Sequence, residues 1–293
     1  MQANKPSTTA ENNAVLRALE SMRPAAKRIC DDPYALYFIS NTFRDVKNTK
    51  QIMVERISAW EKIFPGVCNA ILARTRFIDD CLEDAIKEGL HQMVIMGAGY
   101  DTRALRFKRL KKTAMIFELD HPATQEIKLE RYQRNKLHIP DNIYFIPVDF
   151  NSEDISQKLF DAGYIRSMRT FFIWEGMTYY LSPDAIDRTL SFISNNAPEE
   201  SSVVFDYFPS SVADGTSPLN EARALSVALK QLGEEFVFGL DPEKTKGFLK
   251  DRRFDLMKNL TAKEYKKLYF ANSNQYRRVS DMFIFAHAKV KQA

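Results

Sequence analysis

The chain has 293 residues, of which 45% are hydrophobic, and a formal net charge of +4 at pH 7. This suits one large domain, or one domain with an appended cap, with a sizeable core. It excludes a helical membrane span, because no apolar run approaches the ~20 residues that one needs, so no membrane partner is expected, and a cytoplasmic location is expected because the polar residues 1–13 lack a signal-like apolar stretch.

The first 85 or so residues carry apolar positions at helical spacing over Asn12–Met22, Tyr34–Asn41, Gln51–Phe64 and Asn69–Glu88, with prolines and Pro65-Gly66 between them. They are expected to form an N-terminal helical cap (residues 1–85) on a core of residues 86–293. From residue 93 short apolar runs alternate with helix-period stretches. The strand candidates are Met93–Met96, Ala114–Leu119, Ile143–Val148, Thr170–Trp174 and Val203–Tyr207. Between them lie Thr102–Leu110, Pro122–Lys136, Asp154–Ala162 and Ser182–Asn195 as helices. This alternation predicts an α/β fold with a parallel sheet covered on both faces. A polar stretch, Pro209–Glu234 with a helix over Leu219–Leu232, reads as a lid over the site together with the N-terminal helices. Phe236–Leu240, a helix over Pro242–Lys250, and the strands Phe254–Asn259 and Met282–Lys289 follow. No strong crossover helix joins those last two strands, so an antiparallel pair at one edge of the sheet is expected.

Cys30, Cys68 and Cys81 follow no metal or disulfide spacing and read as buried thiols, and no metal is expected. The basic clusters, such as Lys108-Arg109-Leu110-Lys111-Lys112, have acidic or apolar neighbours and read as solvated faces, which argues against a nucleic-acid partner.

The chemistry concentrates at Gly97-Ala98-Gly99-Tyr100-Asp101, directly after the first strand. Two glycines let the backbone turn tightly and approach a ligand where α/β sheets bind nucleotides, and Asp101 can cap the following helix. Asp120 ends the next strand, 21 residues past Gly99, where a carboxylate can accept both hydrogen bonds of a ribose diol. A dinucleotide fingerprint would place a third glycine at Thr102, and Asp101 at the helix start would repel a pyrophosphate. S-adenosylmethionine has no phosphate, and its sulfonium and amino acid end tolerate a carboxylate, so these residues favour the methyl donor over NAD. Asp149, with Phe150 beside it, closes the third strand and suits an adenine. Glu175 closes the fourth, where an unpaired buried carboxylate would be costly.

Ala73-Arg74-Thr75-Arg76-Phe77-Ile78-Asp79-Asp80, Gly97 to Arg103, Phe117 to Pro122, Glu175 to Leu181 and Asp32-Pro33-Tyr34 form an ordered series. The series resembles the leucine carboxyl methyltransferase family, including its microbial small-molecule O-methyltransferase branch. The resemblance implies a class I methyltransferase fold: a seven-stranded, mostly parallel sheet with an antiparallel last strand. It also implies that Arg74 pairs with the methionine carboxylate of the cofactor, with Arg23 as a second cation. Gly97 would face the amino acid end, Asp120 the ribose, Asp149 and Phe150 the adenine, and Glu175 the amino group.

A carboxylate acceptor needs no base, whereas a hydroxyl usually does; none of His91, His121, His138 and His287 stands out as one. A small, anionic acceptor is expected, with Tyr180, Tyr207 and Arg103 as the candidates that line its pocket and Tyr179 narrowing the entrance. Alternatives are methylation of a protein C-terminus, cofactor binding without turnover in a regulator, and a nicotinamide oxidoreductase.

Overall fold

A computed structural model describes residues 7–40, 48–150, 153–231 and 235–291. Helices α1 (Thr8–Ser21), α2 (Thr49–Ile63) and α3 (Val67–Lys87) precede β1 (Gln92–Met96). Then come α4 (Arg103–Arg106), α5 (Leu110–Thr113), β2 (Met115–Asp120), α6 (Pro122–Arg134), β3 (Ile143–Pro147) and α7 (Ile155–Asp161). Next are β4 (Thr170–Trp174), α8 (Pro183–Asn196), β5 (Ser202–Tyr207), α9 (Ser210–Ala213) and α10 (Asn220–Gln231). The chain continues with α11 (Thr245–Lys250), β6 (Phe254–Leu260), α12 (Ala262–Tyr269) and β7 (Ile284–Val290). Local chemistry sets several starts: Ser7 and Ser182 accept backbone N–H bonds as caps of α1 and α8, and α8 has Pro183 in its first turn.

The strands form one sheet of order β3-β2-β1-β4-β5-β7-β6. Strands β1 to β5 pair in parallel, and β7 runs antiparallel between β5 and β6. The alternation of side chains sorts the apolar runs onto two faces. Val94, Met96, Phe172 and Trp174 pack with Leu159 of α7, Leu190 of α8 and Leu249 of α11. Ile95, Ile116 and Ile173 pack with Ile71 and Phe77 of α3 and Tyr265 of α12. A third cluster seats Ala14, Val15 and Ala18 of α1 against Phe38, Tyr100 and Tyr132 of α6. The three cysteines are buried and free. No helix among the described residues is long and apolar enough to cross a membrane.

The structure departs from the sequence reading in several places. Tyr34–Asn41 is a short 3-10 turn, Ala35–Phe38, because Asp32 Oδ1 takes the Tyr34 and Ala35 N–H groups; Asn41 lies outside the described residues. The stretch Thr102–Leu110 divides into α4 and the start of α5. The segment Phe236–Leu240, given no element from the sequence, is irregular: the Val237 and Phe238 N–H groups bond to the Tyr179 carbonyl and that of Leu240 to the Phe208 carbonyl. Helix α12 occupies the connection between β6 and β7, where no strong helix is expected, while the two strands do form the expected antiparallel pair at one edge of the sheet, with β7 beside β5. Helix α3, most of which falls within residues 1–85, packs in the layer that covers the sheet.

Candidate active site

The carboxyl ends of β1, β2 and β4 lie level, since Met96 pairs with Leu119 on one side and Trp174 on the other. β1 is the switch point of the sheet, where chain connections diverge and open a crevice. One cleft there is lined by the glycine turn, Asp120, Asp149, Phe150, Glu175, Met177 and Tyr180, with Ser7, Ala10, Asn13 and Arg17 closing it from α1.

Gly97 and Gly99 both have positive φ, 68° and 48°. A methyl group on Gly97 would sit 1.9 Å from Met177 Sδ, and one on Gly99 3.1 Å from Ala10 Cβ. The turn is therefore a cradle that only glycine leaves open. The Ala98 N–H donates to the Leu119 carbonyl, which ties the turn to the end of β2. Asp120 accepts from the Gly99 N–H with one oxygen and from the His121 N–H with the other. Each oxygen keeps a second lone pair for a diol. Asp149 and Phe150 line the cleft after β3.

Two guanidiniums reach the cleft. Arg74, on α3 and 2% exposed, donates to Glu175 Oε1 (3.0 Å) and to Asp206 Oδ2 (2.7 Å). Arg17, on α1, donates through Nε to Asp32 Oδ2 (2.8 Å) and through Nη2 to the Tyr100 carbonyl (2.6 Å). Asp32 is fully buried and also accepts from Thr102 Oγ1 (2.7 Å), so Thr102, which stands where a dinucleotide site has glycine, links the glycine turn to the α1 segment. Burial pushes the Glu175 carboxyl up, but Arg103 and Arg74 outweigh it and hold the acid at about 2.

Three candidates fall elsewhere. Arg103 does not line the cleft; it is 2% exposed and serves Asp79 (2.8 Å), Asp101 and Glu175 (2.9 Å) beneath it, which also neutralises Asp101. Tyr207 points to the opposite face of β5, where its hydroxyl bonds to Thr245 Oγ1 (2.6 Å) and Asn259 Oδ1 (2.8 Å). Arg23 lies just past α1 and is held by the Lys27 carbonyl and Glu20, outside the cleft. Tyr179 is stacked on Phe208 with centroids 4.0 Å apart and does not line the entrance, whereas Tyr180 lines the cleft. No described residue of 209–231 lines the cleft; Glu235 and Val237 do.

Sequence reasoning missed Arg17 and Asp206. The signal for Asp206 was present: a carboxylate inside Val203-Val204-Phe205-Asp206-Tyr207, a strand buried on both faces, requires a cation. Asp206 also accepts from the Gly176 N–H (2.6 Å) and so fixes the turn after Glu175. His121 lines the cleft, but its Nδ1 accepts from the Ala123 N–H (3.3 Å), which leaves the proton of a neutral ring on Nε2.

Comparisons with known proteins agree with this geometry. The family model of leucine carboxyl methyltransferase matches residues 10–194, well over half of the chain. YktD of Bacillus subtilis strain 168, provisionally named an S-adenosyl-L-methionine-dependent methyltransferase, is 25% identical over 99% of this chain and 100% of its own. SCO7813 of Streptomyces coelicolor, provisionally named likewise, is 34% identical over 45% of this chain and 46% of its own. Among solved structures, a Thermobifida fusca protein provisionally titled a methyltransferase superposes with a TM-score of 0.60 at 15% identity, covering 98% of this chain and 96% of that one. A DUF574-family protein of Streptomyces avermitilis gives 0.62 at 12% identity, with 98% of each chain covered. The glycine turn, the carboxylate that ends β2 and the match over residues 10–194 converge: the chain is an S-adenosylmethionine-dependent methyltransferase and belongs to the leucine carboxyl methyltransferase family.

Proposed function

We propose that the protein transfers the methyl group of S-adenosylmethionine to an oxygen of a small-molecule acceptor in the cytoplasm, with a carboxylate as the preferred acceptor. The observation that carries this reading is the single cleft that gathers the open glycine turn, Asp120, Asp149, Phe150 and the guanidiniums of Arg17 and Arg74. In it Asp120 takes the ribose diol, and Asp149 with Phe150 takes the adenine. Arg74 and Arg17, the latter in place of Arg23, answer the methionine carboxylate, and Gly97 and Glu175 face the amino acid end. The bound cofactor supplies an electrophilic methyl on a sulfonium. The chain's part is to align the acceptor behind that methyl and to exclude water.

A carboxylate suits the site because the groups at the turn are not free to take a proton. Asp101 and Glu175 are held by guanidiniums, and the His121 nitrogen that could act as a base already accepts a bond. An acceptor that arrives as an anion is nucleophilic without help. Tyr180 and Met177 stand where they can select its shape.

Calorimetry with adenosylhomocysteine tests the donor side. The wild-type protein binds it, and Asp120→Ala weakens binding by more than about tenfold, since a charged acceptor of two hydrogen bonds is lost. No binding by the wild type ends the reading. On the acceptor side, incubation of a cell extract with labelled methyl donor places label in base-labile small molecules. Label in a protein band points instead to a protein carboxyl terminus, and binding without label in any fraction to a regulator.

A further inference from the structure

Behind the glycine turn β2 and α6 bury an ion pair that the methyl-transfer reading does not use. Lys128 Nζ lies 2.5 Å from Glu118 Oε2, and both side chains are 1% exposed. The other Glu118 oxygen, Tyr100 Oη and Tyr132 Oη are buried with no hydrogen-bond partner. A buried ion pair with an unsatisfied oxygen is a poor source of stability, and apolar side chains of the same volume would serve packing at least as well.

A local reason is two residues away. Glu118 and Asp120 alternate with Phe117 and Leu119 along β2 and so project from the same face. Asp120 is 6% exposed. Burial drives its carboxyl towards the protonated form; the N–H groups of His121 and Gly99 oppose this, and the charges of Lys128 and then of His121 add to them. The other charged and titratable neighbours are engaged. Asp101 of the turn is answered by Arg103. Arg131 of α6 is committed to Glu11 and the Phe38 carbonyl and lies over the Tyr100 ring. His121 is tied through Nδ1 to the start of α6, and Tyr132 is an uncharged phenol. Lys128 pairs directly with Glu118, the carboxylate that shares a face of β2 with Asp120, and its charge acts on Asp120 ahead of that of His121.

We propose that Lys128 is a positioning residue for the ribose site: its buried ammonium holds Asp120 ionised, and Glu118 serves as a counter-charge that can be protonated without loss of function. This rests on the reading of Asp120 as the ribose ligand. Burial pushes Glu118 up to about 7, so near neutrality its acid form is already populated in the working protein. The two members of the pair are therefore unequal. Removing Lys128 strips Asp120 of its cation, whereas a glutamine at 118 only fixes a state the pair already visits.

The test is adenosylhomocysteine affinity, measured by calorimetry on either side of neutral pH. The wild type has a flat profile from neutrality upwards. Lys128→Met binds at least about tenfold more weakly near neutrality and recovers as the pH rises, because Asp120 then ionises unaided. Glu118→Gln stays close to wild-type affinity. Should Lys128→Met fail to fold, the uncharged pair Glu118→Gln/Lys128→Met carries the same expectation. A flat profile at wild-type affinity in a Lys128 variant overturns the proposal, as do equal, pH-independent losses in Lys128→Met and Glu118→Gln, the mark of a merely structural pair. A wild type that does not bind removes the ribose reading itself, a result distinct from either.

Discussion

At the scale of single residues, the glycine turn and Asp120 were legible because strand ends and loop lengths in an α/β sheet constrain where such groups fall. Side-chain direction was less so. Tyr207 and Asp206 are neighbours on β5, and a step of one along a strand reverses the face. The aromatic residue drew attention while the carboxylate, paired with an arginine 132 positions away, carried the connection to the cleft. Tyr207→Phe is expected to cost about 1 kcal/mol in denaturant unfolding through its lost hydrogen bonds and to leave adenosylhomocysteine affinity unchanged; a drop in affinity would return Tyr207 to the site. Asp206→Asn leaves Arg74 buried with a weakened partner and is expected to destabilise by about 3 kcal/mol or more. Gly97→Ala combines about 1–2 kcal/mol of left-handed strain with a methyl against Met177. It abolishes binding, and adding Met177→Ala relieves the collision while the strain remains, so partial recovery in the double variant checks both terms.

At the scale of elements, the periodic pattern placed most strands and helices, and the resemblance implied seven strands with the last one antiparallel, but not their order in the sheet. It did not give the cations of the cap. Arg17 and Arg23 flank the same short segment. Only the packing of Ala14, Val15 and Ala18 against Phe38 and Tyr132 turns Arg17 towards Tyr100 and the cleft and leaves Arg23 beyond the helix end. The long stretch Thr102–Leu110 also failed as one helix, since Arg103 and Arg106 both turn to Asp79 and fix a single turn there. Because α1 closes one side of the cleft, amide hydrogen exchange over Thr8–Ser21 is expected to slow when adenosylhomocysteine binds. Unchanged exchange in α1 alongside protection of the glycine turn would show that the helix is a fixed wall and takes no part in binding.

At the scale of the whole molecule, two buried groups give stability opposite dependences on pH. His287 of β7 has no partner for either ring nitrogen, and burial first, then Lys258 and Lys289, push it from 6.5 to about 4. The folded state therefore excludes a proton that the unfolded chain binds, and stability falls as pH drops from 6.5 through 4, by about 3 kcal/mol in full. Glu118, raised from 4.5 to about 7, binds a proton in the fold that the unfolded chain has lost, so its contribution fades as pH rises through that window. The two offset one another between pH 4.5 and 7. His287→Leu removes one side, and its Tm is expected to fall as pH rises towards 7, whereas that of the wild type changes little; parallel curves would show that the buried imidazole does not titrate.

The strand order has a further consequence, for how the chain is made. β7 fills the gap between β5 and β6, so both flanking strands emerge from the ribosome with bare backbone edges facing an empty lane. The lane closes only after residue 290 has left the exit tunnel. Every group of the cleft, up to Val237, is synthesised before then, yet the wall that carries Asp206 has no partner on one side. During that interval the nascent protein presents two open β-edges to its neighbours. A stall or a cut before Ile284 therefore yields a chain with a complete list of site residues and a strong tendency to aggregate.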